Sequence, residues 1–229
     1  MLKVTQKLIF YFEFPRKLSP NMSRLKDSIA SEDSYFTISN PSEGMLKERN
    51  SKFYFFAFPV QSEDEIKSNL AKLQKTYFDA SHHCFAWVLG KEGTQFRAFD
   101  DGEPNHSAGD PILGQIRSKQ LTNILIVVVR YFGGAKLGMS GLIQAYKTAA
   151  AMAIQDSEII EKQVKVVIEI QFPYASMNDV MKLVKTYELE ITNQEMNLNC
   201  RMMLVLRAGI KDSVLLGLTE VKGLELINS

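Results

Sequence analysis

The sequence predicts an α+β protein of two domains, and three observations carry that reading. The run Ile124-Leu125-Ile126-Val127-Val128-Val129, within Leu121–Phe132, is too short to span a bilayer and too β-branched to favour a helix. It reads as a strand buried on both faces. Helical apolar stripes lie on either side, Ile66-Leu70-Leu73-Tyr77 upstream and Leu142-Ala145-Tyr146-Ala149-Met152 downstream. Beyond residue 160 the pattern becomes a β-α-β-β-α-β alternation within about 65 residues, which fits a ferredoxin-like α/β sandwich.

The elements follow in chain order. Residues 1–31 read as an extension, 32–160 as the first domain and 161–229 as the second. In the extension, Leu8–Phe14 is aromatic and apolar but short and interrupted by Glu13. It lacks the apolar core and cleavage site of a signal peptide and the length of a membrane span. Weak order is expected there, with Met22 as an alternative initiator. Tyr35–Ile38 then reads as a strand, 40–44 as a loop and Phe53–Val60 as an aromatic strand ending at Pro59. Ser62 and Glu65 have the spacing of a capping box, opening a helix that covers one face of a sheet. Along the strand after Ser81, Phe85, Trp87 and Leu89 share one face, which makes Trp87 a core residue.

Asp100, Asp101 and Glu103 surround Gly102, and Pro104 closes an acidic turn. Asp110 before Pro111 reads as the N-cap of a short helix from Ile112 to about Ser118. After the apolar strand come Gly133, Gly134, Gly138 and Gly141, then a helix to about Ile154. Asp156–Lys162 reads as a polar junction. In the second domain Val164–Phe172 is a strand, and Ser176–Tyr187 a helix with Met177, Val180, Met181 and Val184 inward. Leu189–Met196 and Leu198–Arg207 form a hairpin around Asn197, followed by a helix, Lys211–Val221, and a strand, Leu224–Ile227.

Composition narrows the function classes. The 27 basic and 26 acidic residues leave a net charge of +1, so bulk electrostatics gives no argument for nucleic acid and such binding needs a local basic patch. Cys84 and Cys200 stand far apart in apolar contexts, as reduced, buried thiols of a cytoplasmic protein do.

Two segments carry possible chemistry. The strand end Arg130-Tyr131-Phe132, the glycine turn and the following helix start gather backbone N–H groups at the positive end of a helix dipole. Arg130 and Lys136 add charge, so the arrangement suits an anion. The glycines serve equally well to allow positive φ and close packing. Their spacing is neither G-x-G-x-x-G nor G-K-[ST], so neither a dinucleotide fingerprint nor a P-loop is present. The carboxylates of the acidic turn, with His106 nearby, suit a hard cation or acid–base work, or form a solvated turn with one member capping a neighbouring backbone. His82-His83-Cys84 invites a zinc reading that fails: strand neighbours point to opposite faces, and His106 is the one remaining histidine. No metal and no cofactor are expected.

The segments DDGEP (Asp100–Pro104), SAGDPIL (Ser107–Leu113), LTNILIVVVRYFGGAKLGMSGLIQAY (Leu121–Tyr146) and SHHCFAW (Ser81–Trp87) resemble the IMPACT/YigZ family closely over about Asp33–Ala153, and the remainder resembles its usual C-terminal domain. Asn105-His106 stands where members more often carry small residues such as Ser-Gly. The resemblance implies a first domain with the fold of a ribosomal protein's second domain and a second domain like the C-terminal domains of elongation factor G. It implies a cytoplasmic, non-enzymatic regulator of translation, tied in eukaryotic members to the starvation stress response, that binds RNA, the ribosome or a translation factor. It also implies that a histidine, here His83, lines the cleft with the acidic turn.

The expected binding residues are therefore Asp100, Asp101, Glu103, His83, Arg130, Tyr131, Gly133, Gly134, Lys136, Gly138 and Gly141. Arg130 and Lys136 supply charge, Tyr131 or Phe132 a stacking face, and the carboxylates shape the cleft or orient the basic groups. Two other classes stand beside this one. An enzyme would use Asp100, Asp101 and Glu103 with an anion site at the glycine turn, although no nucleophile with a positioned base is evident. A protein-interaction module would dock through the second domain. No membrane partner is expected.

Overall fold

A computed structural model describes residues 33–228; the 1–31 extension and Met22 lie outside the described residues. Those described form two compact units, one of residues 35–162 and one of residues 163–228 with 33–34. The mixture of helices and strands is α+β in both.

In chain order the first unit contains β1 (Ser34–Ile38), β2 (Ser42–Glu48), β3 (Ser51–Pro59), α1 (Glu63–Thr76), β4 (His82–Leu89), β5 (Gln95–Phe99), α2 (Gly109–Ser118), β6 (Ile124–Tyr131), α3 (Gly138–Gln155) and β7 (Ile159–Gln163). Five of these strands make one sheet in the order β2-β3-β6-β4-β5, antiparallel throughout, and β1 pairs with β7. The apolar run makes β6 the centre of the sheet, where Ile124 to Arg130 are all buried. One face, with Phe53, Phe55, Cys84, Ala86 and Val128, packs under α2 and α3. The other, with Phe56, Phe85, Trp87, Leu89 and Val127, packs with Ile66 and Leu73 of α1. Period-two alternation along β4 thus feeds two cores at once, and Trp87 lies in one of them.

The start of α1 follows its sequence signal. The Ser62 hydroxyl accepts the Glu65 N–H at 3.2 Å, while the Glu65 carboxylate accepts the N–H of Gln61, not of Ser62, at 2.9 Å. β2 and β3 are joined by a two-residue turn in which Arg49 and Asn50 both have positive φ, 42° and 68°, as the twist of a tight hairpin requires.

Several expectations are corrected. The segment read as a loop over 40–44 enters β2, because Gly44 leaves room for the Phe55 ring of the neighbouring strand. The junction over 156–162 contains β7, whose Ile160 is buried. Helix α2 begins at Gly109, so Asp110 lies within the first turn and is not its cap.

The second unit contains β8 (Lys165–Pro173), α4 (Met177–Thr186), β9 (Glu190–Glu195), β10 (Asn199–Arg207), α5 (Lys211–Thr219) and β11 (Glu225–Asn228). Its sheet order, β11-β8-β10-β9, with antiparallel neighbours, is that of a ferredoxin-like sandwich. Val180 and Val184 of α4 are buried against Ile168, Ile170, Phe172 and Leu204. Met181, expected inward, is exposed: the apolar stripe runs through Val180, Leu183, Val184 and Tyr187, and Met181 falls at its margin.

Candidate functional site

The acidic turn joins β5 to α2 and lies against the ends of β4 and β6. Its three carboxylates have three different environments. Asp100 accepts the N–H groups of Ala108 (3.0 Å) and Gly109 (2.8 Å) at one oxygen and that of His106 (2.9 Å) at the other. The Ala108 and Gly109 donors lie at the start of α2, which has no cap from its own Ala108, so Asp100 caps the helix from outside, and the His106 donor ties down the turn before it. Gly109 can approach this closely because a Cβ there would run into the backbone of Ala98 and Phe99.

Asp101 has φ +44° and accepts the His83 N–H at 2.6 Å. Its carbonyl oxygen lies 2.8 Å from His82 Nδ1. A carbonyl only accepts, so Nδ1 carries the proton in the neutral ring and Nε2 is the open position. That Nε2 lies 3.9 Å from Glu103 Oε1.

Glu103 is the buried member. Its Oε1 accepts from Arg130 Nη1 at 2.6 Å and from the Tyr146 hydroxyl at 2.8 Å. Only 3% of the Glu103 side chain and 6% of the Arg130 side chain meet solvent. Arg130 also reaches Ser51 Oγ at 3.5 Å and lies over the Phe53 ring, 5.4 Å from its centroid. The register explains the assembly. Phe53, Arg130 and His82 are direct partners across β3, β6 and β4, so their side chains form one row on the α2–α3 face. Tyr146 of α3 packs edge-on against Phe53 and brings its hydroxyl over that row.

The Cys84 sulfur sits 2.9 Å from the Asp100 carbonyl and 3.3 Å from the Tyr146 hydroxyl. Burial pushes both the Cys84 thiol and the Tyr146 phenol well above their usual ranges, against the Cys84–Tyr146 hydrogen bond in the case of the thiol. Neither is an ionised nucleophile near neutral pH.

The glycine turn lies beyond β6. Gly133 packs on the backbone of Asn50 and Ser51, leaving no space for a Cβ, and donates its N–H to Ser51 Oγ at 3.2 Å. Gly134 and Gly138 have φ of +85° and +74° with open space around them, the left-handed geometry that lets the chain enter α3. Gly141 lies in the first turn of α3, where its missing Cβ faces that of Leu137. No side chain caps this helix, and its first turn has no acidic residue. Lys136 is exposed. The two aromatics divide their work: Tyr131 packs against Tyr54 and donates to Asp79 at 2.6 Å, whereas Phe132 is 49% exposed with the Arg130 guanidinium 5.5 Å from its centroid.

The acidic turn and the end of β6 therefore meet through Glu103 and Arg130. Lys136 takes no part in this contact and, among the described residues, forms no ion pair. Both histidines touch the acidic turn from opposite strand faces. His83 bonds it through its backbone, with its ring Nδ1 3.9 Å from Asp101, and His82 shares the Glu103 face. His82, Tyr146 and Ser51 were missed by sequence reasoning. The one available signal was the parity of His82 with Cys84 along the strand.

The Impact N-terminal domain profile matches residues 49–154, which spans every residue of this site. The chain is 31% identical over 147 residues to the IMPACT family member YvyE of Bacillus subtilis, covering 64% of this chain and 68% of that one. It is 32% identical over 161 residues to an IMPACT family member of Haemophilus influenzae, covering 68% of this chain and 77% of that one. A crystal structure of a hypothetical protein superposes with a TM-score of 0.64 at 25% identity, over 87% of this chain and 98% of the other. The site, the sheet that carries it and these likenesses together make the chain a member of the IMPACT family.

Proposed function

We propose that the protein is a non-enzymatic regulator of translation that binds RNA, the ribosome or a translation factor at the glycine turn. The carrying observation is the uncapped start of α3, an 18-residue helix, preceded by the open turn at Gly134 and Gly138 and flanked by exposed Lys136 and Phe132. Free N–H groups at the positive end of a long helix favour an anion, and the lysine adds charge. Family membership supports the translational setting. Arg130 acts here as a positioning group: Glu103 neutralises its guanidinium, which in turn supports the Phe132 ring.

An acid–base enzyme is less well supported. The Asp100 carboxylate holds three backbone N–H groups, and that of Glu103 is occupied by Arg130 and Tyr146. The open Nε2 of His82 is the one group that favours this second reading.

The test is co-sedimentation with ribosomes and filter binding to cellular RNA across a salt series. Association should weaken steeply with salt, and Lys136→Ala should flatten the slope by about 0.7–0.9. Salt-independent association, or none to either target, would overturn the proposal.

A further inference from the structure

Helix α3 is free of acid. No acidic residue occurs between Asp110 and Asp156, so Lys147 is the one charged group of α3, and Lys136 stands just before its start. Both lysines are exposed, and among the described residues neither is in an ion pair.

The same helix start leaves apolar groups in water. Met139 is 52% exposed and Ile143 37%, and the two are neighbours one turn apart. A further turn along, the stripe passes inward at Tyr146, which is fully buried with its hydroxyl on Glu103 Oε1. Phe132 joins from the end of β6. Its ring lies against the Arg130 guanidinium, which Glu103 also holds, so ring and helix stripe flank one buried cluster on the α2–α3 face of the sheet. Single exposed apolar side chains are ordinary. Three of them about one uncapped helix start, beside open space at Gly134 and Gly138, mark a contact surface.

The placement of charge favours one kind of partner. From Gly138 to Lys147 the helix rises about 14 Å, and Met139 and Ile143 lie in that interval, so the two lysines bracket the apolar groups. A nucleic-acid strand carries a charge about every 3.4 Å along a duplex and calls for cations in close succession. Here the intervening groups are a thioether and an alkyl chain, and the Arg130 charge is already neutralised by Glu103. Methionine is a side chain of protein interfaces, where it adapts to irregular apolar surfaces.

From this we infer that Phe132, Met139 and Ile143, with Lys136 and Lys147 at the two ends, dock an acidic amphipathic polypeptide segment. Its apolar side chains cover the stripe, and carboxylates on either side meet the lysines and the positive end of α3. The inference rests on the reading of the glycine turn as a binding site and names the class of its partner, a protein of the translation machinery in place of RNA.

The experiment measures binding of the full chain to three labelled polymers by fluorescence anisotropy: a glutamate–tyrosine copolymer, polyglutamate and polyuridylate. The copolymer should bind about tenfold more tightly than either of the others. Met139→Gln/Ile143→Gln should weaken the copolymer about tenfold and polyglutamate by less than about twofold. Its urea midpoint should stay at the wild-type value, because both side chains already meet solvent. Lys136→Gln/Lys147→Gln should weaken both polypeptides and flatten their salt dependence.

If polyuridylate binds as tightly as the copolymer, or the Met139/Ile143 variant holds the copolymer as the wild type does, the polypeptide surface is rejected. It is likewise rejected if the wild type binds ribosomes or cellular RNA but not the copolymer. In each of these cases the glycine-turn reading stands on its own salt series. If the wild type binds none of these targets, that reading falls and takes this inference with it.

Discussion

Arg130 Nη1 lies 2.6 Å from Glu103 Oε1, and both side chains are almost wholly removed from water. Such a pair gains its attraction at the cost of two desolvated charges, so losing one partner is worse than losing both. Arg130→Met should lower the unfolding free energy by about 3–5 kcal/mol, measured by urea denaturation. Adding Glu103→Gln, which keeps an acceptor for the Tyr146 hydroxyl, should recover a large part of that loss. Additive losses in the two single variants and the double variant would show that the two groups are not coupled.

Asp100 should behave as a helix cap. Removing its carboxylate leaves the Ala108 and Gly109 N–H groups at the start of α2, and that of His106 in the turn before it, without their acceptor. Asp100→Ala should cost about 2 kcal/mol in thermal or urea denaturation, and Asp100→Asn, which keeps one carbonyl oxygen, about half as much. A loss of binding in Asp100→Ala without any loss of stability would contradict this structural role.

Two glycines should respond in opposite senses to one methyl group. Gly133→Ala forces a Cβ into the Asn50 backbone and should cost about 3 kcal/mol. Gly114, in the exposed interior of α2, has nothing within 4 Å of a Cβ. Gly114→Ala should raise stability by about 0.5–1 kcal/mol through helix propensity alone. Comparison of the two urea midpoints checks both.

Tyr131 gives a signature at alkaline pH. Its hydrogen bond to Asp79, with burial second, pushes the phenol up to about 12. The folded state holds the proton more tightly than the unfolded chain, where a tyrosine titrates near ~10. The stabilisation is therefore complete below about pH 10 and disappears as pH rises towards 12. The ultraviolet difference titration of wild type against Tyr131→Phe should show one phenol ionising near pH 12. A midpoint at the ordinary value would mean that the Asp79 bond does not form in solution.

Much of this architecture was legible because local pattern and burial agree. The β-branched run of β6 is central and sealed, the Ser62 signal opens α1, and the alternation after residue 160 is the ferredoxin-like order. Other elements were hidden by tertiary choices. Pro41 and Gly44 carry loop chemistry, yet Gly44 sits in a strand because the Phe55 ring occupies the space of its absent side chain. The edge strand β5 is five residues long and mostly exposed, so its alternation of Phe96 and Ala98 with Gln95 and Arg97 is too brief to stand out.

The candidate site was legible as a set of segments but not as a set of bonds. The meeting of DDGEP and RYFGG was an expectation that local pattern does not encode. That Glu103 withdraws Arg130 from solvent depends on a contact across 27 residues, and that Asp100 caps α2 depends on where β5 ends. No local spacing encodes either. Of the adjacent histidines, strand parity places them on opposite faces but does not say which face the acidic turn occupies.

The order of strands in the first sheet has a consequence during synthesis. β6 lies between β3 and β4 but is made after both, about 70 residues beyond the end of β3. At ~5–20 residues per second the aromatic strand FYFFAF leaves the ribosome roughly 4–14 s ahead of its permanent neighbour. During that interval the β6-facing edge of the aromatic strand has no permanent partner, so the first sheet closes only once residue 131 has emerged.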